Sequence, residues 1–247
     1  MVTVLEALTW PCAAFTSYAP KGPNTVIETD IALDTWCPWD DFNYKNITTI
    51  FEHNLGTRYR GEREPRPLAK DTSIYNEESV EDALRRYRIP TVNYALGGMP
   101  NAPHYGRGTR CPGTGSGFKT DWSCVSDART GENGAYLNLV PGDTKISAKW
   151  WPELVDDPDG FGEWQNAVAQ AVSYSAERHV RYGFIVTDTV LVVLRIARQY
   201  TGEGLAANRS PRGDGPSSQS SDTSMGSGSG VPSQPSSKSF SDNNPLN

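Results

Sequence analysis

Cysteine is scarce and scattered. Cys12, Cys37, Cys111 and Cys124 form no CxxC pair and have no histidine beside them at zinc-ligand spacing, which excludes a structural zinc site. The three histidines, His53, His104 and His179, have no acid or nucleophile at a telling interval, so an enzyme built on histidine chemistry is a poor reading. No apolar run reaches the roughly 18 residues of a membrane-spanning helix. Glu6 stands where a signal peptide would carry basic residues and an unbroken apolar stretch. The expectation is an intracellular protein without membrane contact and with reduced thiols. Basic charge is also short, with 23 Lys and Arg against 29 Asp and Glu, a net charge of −6 and a pI near 5.1. Coating of a polyanion by bulk charge is thereby disfavoured, and any nucleic-acid contact needs a local basic groove.

What is present is a core. The 247 residues are 36% hydrophobic and 10% aromatic, enough to bury the interior of one domain of generous size. We place that domain at residues 1–202, with a poorly readable part at 1–70 and a core at 71–202. From 203 to 247 the composition turns to Ser, Gly, Pro, Asn and Gln, which cannot offset its ordering entropy and predicts a disordered tail. The charges from Arg209 onward cancel, so the acidic excess belongs to the folded part.

Residues 1–70 mix aromatics with prolines and show no sustained period, which predicts short helices and loops packed on the rest. Downstream the signals sharpen. Asn76 suits an N-cap, Glu77 and Glu78 suit the positive end of a helix, and Val80, Leu84 and Tyr87 recur at helical spacing, predicting a helix over 77–87. The Gly- and Pro-rich stretch 97–117 predicts an exposed loop. Its Gly113, Gly115 and Gly117 lack the spacing and the GK[ST] ending of a phosphate cradle. Extended segments follow at 118–125, 135–140 and 143–148, then a helix over 163–179 with Trp164, Val168, Ala171, Val172 and Ser175 on its core stripe. The last element, 181–196, holds two β-branched runs split by Thr187, Asp188 and Thr189, the pattern of a hairpin. The expected fold class is α/β, a central mixed sheet flanked by helices.

Few polar residues fall on these strands, and Asp121, Asp143 and Lys145 stand out. Alternation along a strand puts Asp143 and Lys145 on one face and Thr144 on the other. Asp121 precedes Asp143 by the length of one hairpin. Two carboxylates at one point repel unless a cation joins them, and an all-oxygen site favours Mg²⁺ or Mn²⁺. Such an ion polarises a phosphoryl oxygen and acidifies water, while a neighbouring lysine neutralises developing charge. A plain surface Asp–Lys pair, worth about 0–1 kcal/mol, is the bland alternative. Gln170 and Tyr174 lie four apart, off the apolar stripe, either solvated or turned back to the sheet edge that carries the pair.

In the stretches NEESVEDAL (76–84), FKTDWSCV (118–125), LVPGDTKISAKWWP (139–152), EWQNAVAQAVSY (163–174) and RYGFIVTDTVLVVLRI (181–196), the chain resembles the PD-(D/E)XK nuclease-like proteins, in particular a fungal group of intracellular proteins with this domain. The likeness spans most of residues 6–208. It implies a restriction-endonuclease-like fold and metal-dependent hydrolysis of phosphodiester bonds in nucleic acid, DNA by expectation, with Mg²⁺ or Mn²⁺ as cofactor. Asp121 then takes the place of the first metal-binding aspartate, Asp143 of the second acidic ligand and Lys145 of the catalytic lysine. Gln170 and Tyr174 match a helix motif that supports the site and contacts DNA. Glu77 matches an acidic residue on the first core helix, with Glu78 a close rival. Thr120 stands where the name motif has proline. Lys145, Lys149, Arg178 and Arg181 are the expected phosphate-holding cations. The competing expectation, favoured by the low pI, is a catalytically silent nuclease-like binding or regulatory module.

Overall fold

The computed structural model describes residues 1–24, 33, 36–111, 119–131 and 133–197. All of them belong to one compact unit, Met1–Gln199. The tail 203–247, the glycines 113, 115 and 117, and Phe118 lie outside the described residues.

The N-terminal part is made of short elements, as its composition predicts. Helix α1 (Val4–Leu8) is capped by Thr3 and Glu6 in a reciprocal capping box. Strand β1 (Thr16–Ser17), helices α2 (Tyr44–Ile50) and α3 (Glu52–Leu55), and strand β2 (Ser73–Ile74) follow, with β1 and β2 paired in parallel. Helix α4 (Glu77–Tyr87) starts at the expected cap: Asn76 Oδ1 accepts from the Ser79 N–H at 2.9 Å, and Ser79 Oγ accepts from the Asn76 N–H at 3.0 Å. Glu77 and Glu78 occupy its first turn and Arg85 and Arg86 its last, both favourable to the helix dipole. Helix α5 (Ile89–Leu96) follows directly.

The core sheet has five strands in the order β3 (His104–Arg107), β4 (Trp122–Val125), β5 (Gly142–Thr144), β6 (Tyr182–Val186) and β7 (Leu191–Arg195). Neighbours are antiparallel except β5 and β6, which run parallel across the connecting helix α6 (Phe161–Glu177). A parallel pair needs such a crossover. The structure is therefore α/β with a central mixed sheet flanked by helices. One side of the sheet packs on α6 through Trp150, Leu154, Trp164, Ala167, Val168, Ala171 and Ile185. The other side packs Trp122, Phe184 and Val186 against Leu84 and Ile89 of α4 and α5. β4 and β5 are buried throughout, being covered on both faces.

Several expectations are corrected. The segment 97–117 is not all loop, because His104–Arg107 pairs residue for residue with β4. Asn93 of α5 holds this edge strand: its carboxamide accepts from the Tyr105 N–H at 2.7 Å and donates to the Tyr105 carbonyl at 2.9 Å. Conversely, 135–140 forms no strand, only an isolated bridge between Thr130 and Tyr136. The buried side chain of Asn138 does what a strand backbone would have done. It accepts from the Cys124 N–H and donates to the Trp122 carbonyl, both at 3.1 Å. The extended run from Asp143 ends at Thr144, although Lys145 N–H still reaches the Val186 carbonyl at 2.9 Å before the chain turns at Ile146. Helix α6 begins two residues earlier than expected and ends before His179, whose φ of +55° is left-handed and stops the helix. The hairpin β6–β7 forms as predicted.

Two glycines make close approach possible. Gly142 lies under the Phe184 ring, where an added Cβ would come within 2.1 Å of it. Gly183 faces α6, where a Cβ would meet Ser175 Oγ at 2.7 Å.

Candidate active site

Asp143 sits mid-strand on β5 and Lys145 just beyond its end, so the pleat turns both toward α6. Thr144 points the other way and accepts from Trp122 Nε1 at 2.8 Å. Lys145 Nζ is 2.6 Å from Asp143 Oδ2, and the two residues are 2% and 1% exposed. This is a buried ion pair, not a surface one. Gln170 of α6 bridges it: Oε1 accepts from Lys145 Nζ at 3.2 Å, and Nε2 donates to Asp143 Oδ1 at 3.1 Å and to the Tyr174 hydroxyl at 2.6 Å. Gln170 and Tyr174, 7% and 3% exposed, are thus turned inward. The solvated alternative does not hold for them. Their hydrogen bonds hold Asp143 and Lys145 from the helix side.

Asp121 stands immediately before β4, half-buried, and its Oδ2 accepts from the Thr144 N–H at 2.8 Å. The antiparallel register of Trp122 with Gly142 makes this contact. Its carboxyl is also within hydrogen-bonding reach of Asp143. The three strand residues selected from the sequence therefore converge at one end of the sheet.

Helix α4 brings further acids. Glu77 is half-buried and Glu78 exposed, which separates the rivals in favour of Glu77. One turn on, buried Glu81 pairs with Arg107 of β3. Sequence reasoning did not select Glu81 or Arg107; the signal available was the four-residue interval between Glu77 and Glu81 on one helix face.

Electrostatics follow from this crowding. Burial pushes the Asp143 carboxyl up to about 8; Lys145 opposes the rise and Asp121 adds to it. Burial also raises Glu77, against the pull of Lys145 and with repulsion from Asp121. Glu81 is raised by burial, partly offset by its hydrogen bond from Arg107. For Lys145, burial works against the charge, but Asp143, with Glu77 and Asp121, outweighs it and holds the ammonium above its ordinary value. Burial raises the Tyr174 phenol, reinforced by Asp143. The site concentrates acidic side chains against fewer close cations, and burial raises the proton affinity of Asp143, Glu77 and Glu81.

The expected phosphate-holding cations are only partly assembled. Lys145 is committed to Asp143 and Gln170. Lys149 acts on Glu77 from nearby. Arg181 stands before Tyr182, at the end of β6 opposite Val186, the residue beside Lys145, and Arg178 caps the C-terminus of α6, where its charge acts on Cys111. The register puts Arg181 at the end of β6 away from Lys145.

No family model, curated protein or solved structure matches this chain. Among the described residues, no helix is long and apolar enough to cross a membrane. No group of three or more His, Cys, Asp or Glu among them is arranged to hold a metal ion. The pair Asp121 and Asp143 is what could serve as ligands, with Glu77 close enough to feel the charges of Lys145 and Asp121.

The donor set can nevertheless be tested against a hard divalent cation. Asp143 Oδ2 is buried and accepts no hydrogen bond of ordinary geometry, its one close partner being the Lys145 ammonium. Magnesium is commonly held by one or two carboxylates, with water and substrate phosphate completing the octahedron. Two neighbouring carboxyl groups, one of them buried and with a raised proton affinity, fit that mode. A closed protein cage it is not.

Proposed function

We infer that this chain is a metal-dependent nuclease of the PD-(D/E)XK type, hydrolysing phosphodiester bonds in DNA. The observation that carries the reading is the convergence of Asp121, Asp143 and Lys145 at one sheet end, braced by Gln170 and Tyr174. Support also comes from the order of elements, α4, α5, three strands, α6 and β6, because the aspartate, the DxK and the QxxxY fall at the start of β4, at the end of β5 and on α6 in turn.

Asp121 and Asp143 would hold Mg²⁺ or Mn²⁺. When bound, the ion supplies charge for a phosphoryl oxygen and acidifies water. The chain's own residues do the rest. Lys145, fully charged at neutral pH, presents an ammonium beside the carboxylates where negative charge develops on phosphate. Gln170 fixes both partners through one carboxamide, so that neither can rotate away. Tyr174, donating no proton at neutral pH, buttresses Gln170.

A second reading has its own observation. Asp143 and Lys145 are committed to each other in a site almost closed to solvent, which suits a catalytically silent nuclease-like binding module. Incubation of the full chain with single- and double-stranded DNA in Mg²⁺, Mn²⁺ or EDTA decides between them. The nuclease reading expects cleavage that EDTA and Asp143→Asn abolish while the fold persists. Neither cleavage nor a metal-induced rise in Tm would leave the silent module.

A further inference from the structure

The sheet face opposite α6 carries a cavity that the nuclease reading does not use. Its volume is about 780 Å³, within the roughly 300–1,000 Å³ typical of small-molecule sites. Trp122, Phe184 and Val186 form its floor, Leu84 and Ile89 one wall, and the segment from Cys12 to Phe15 another. The surface is overwhelmingly apolar. Two charged side chains line it, Arg88 and Asp188.

These two differ in their commitments. Both carboxylate oxygens of Asp188 are occupied, accepting from the Ser147 N–H and hydroxyl at 2.7 Å each. Arg88 pairs with no carboxylate among the described residues. Its guanidinium donates to the Ala13 carbonyl at 3.0 Å and lies over the Phe15 ring at 5.9 Å. A guanidinium has five N–H donors, so the one carbonyl it meets leaves Arg88, a lining residue of the cavity, with capacity for an anion.

We propose that this cavity binds an aliphatic monocarboxylate, with the hydrocarbon chain on the Trp122, Phe184 and Val186 floor and the carboxylate on Arg88. A single guanidinium matches one carboxylate as a two-bond fork. A phosphate dianion would leave a second negative charge facing apolar walls, which is costly. An extended peptide would bring backbone N–H and C=O groups that these walls cannot satisfy. Charge complementarity at one point and apolar contact elsewhere define an amphipathic anion.

The test is calorimetric titration of the full chain with decanoate and, separately, with decan-1-ol. The expected result is 1:1 saturable binding of decanoate, weakened about tenfold or more by Arg88→Met, the scale of a lost charge-assisted pair. Binding of the alcohol should change by no more than about twofold, since its head group carries no charge for Arg88 to read. Arg88→Lys keeps the positive charge but not the two-bond fork, so it should recover only part of the decanoate affinity while leaving decan-1-ol binding unchanged, which guards against a loss through misfolding at the Ala13 contact. Val193→Trp, which fills the cavity lining from β7, should abolish both. No saturable decanoate binding by the wild type, or equal losses of acid and alcohol in Arg88→Met, overturns the proposal. So does a concentration-dependent dimer, seen by sedimentation, whose formation excludes decanoate, because the cavity would then belong to a second copy. None of these outcomes depends on DNA cleavage.

Discussion

Replacing Asp143 by asparagine should change how stability depends on pH, and the direction follows from burial. The carboxyl titrates near 3.8 without its environment and is pushed up to about 8 in the folded protein. A folded-state pKa above the unfolded one means that the folded protein binds this proton more tightly. Its contribution is therefore fully present below about pH 4 and is lost as pH rises through about 8. At 1.36 kcal/mol per unit, the loss between those limits is about 5 kcal/mol. Asparagine has nearly the same volume and cannot ionise, so this slope disappears in Asp143→Asn. Lys145 stays protonated across this range, so the slope isolates the Asp143 carboxyl. Urea unfolding of both proteins in EDTA at unit steps from pH 4 to pH 8 measures it. Relative to the variant, wild type should be at its most stable at pH 4 and should lose about 5 kcal/mol by pH 8. A difference that stays flat within about 1 kcal/mol, the scale of one pKa unit, would refute the assignment of Asp143 as a proton-holding, charge-starved carboxyl.

Asn138→Ala should destabilise by about 3 kcal/mol, because it removes the carboxamide's bonds to Cys124, Trp122 and Thr120 and leaves buried strand groups unpaired; a loss under about 1 kcal/mol in urea unfolding would mean that water replaces it freely. Gly142→Ala should be worse tolerated than its chemistry suggests, at least about 1–3 kcal/mol, since its methyl collides with the Phe184 ring. Combining it with Phe184→Leu should recover part of the loss, and strict additivity in that double variant would count against the contact.

Local signals carried much of the fold and of the site. Asn76 with Ser79 caps α4 within four residues, the β-branched runs around Thr187–Asp188–Thr189 fold on themselves, and alternation alone puts Asp143 and Lys145 on one face. Such features depend on neighbours a few positions apart, so sequence spacing is enough to read them. Tertiary structure decided what depends on distant partners. His104–Arg107 became a strand because Asn93 and β4 bind both its edges, and 135–140 did not because the Asn138 side chain took over the bonds of β4. The inward turn of Gln170 and Tyr174, the pairing of Glu81 with Arg107, and the placement of Arg181 at the end of β6 away from Lys145 came from the same source. A polar side chain on a helix looks the same in sequence whether it meets water or a buried ion pair. Only the packing of α6 on the end of β5 supplies the partner, and with it the burial that sets the charge of the site.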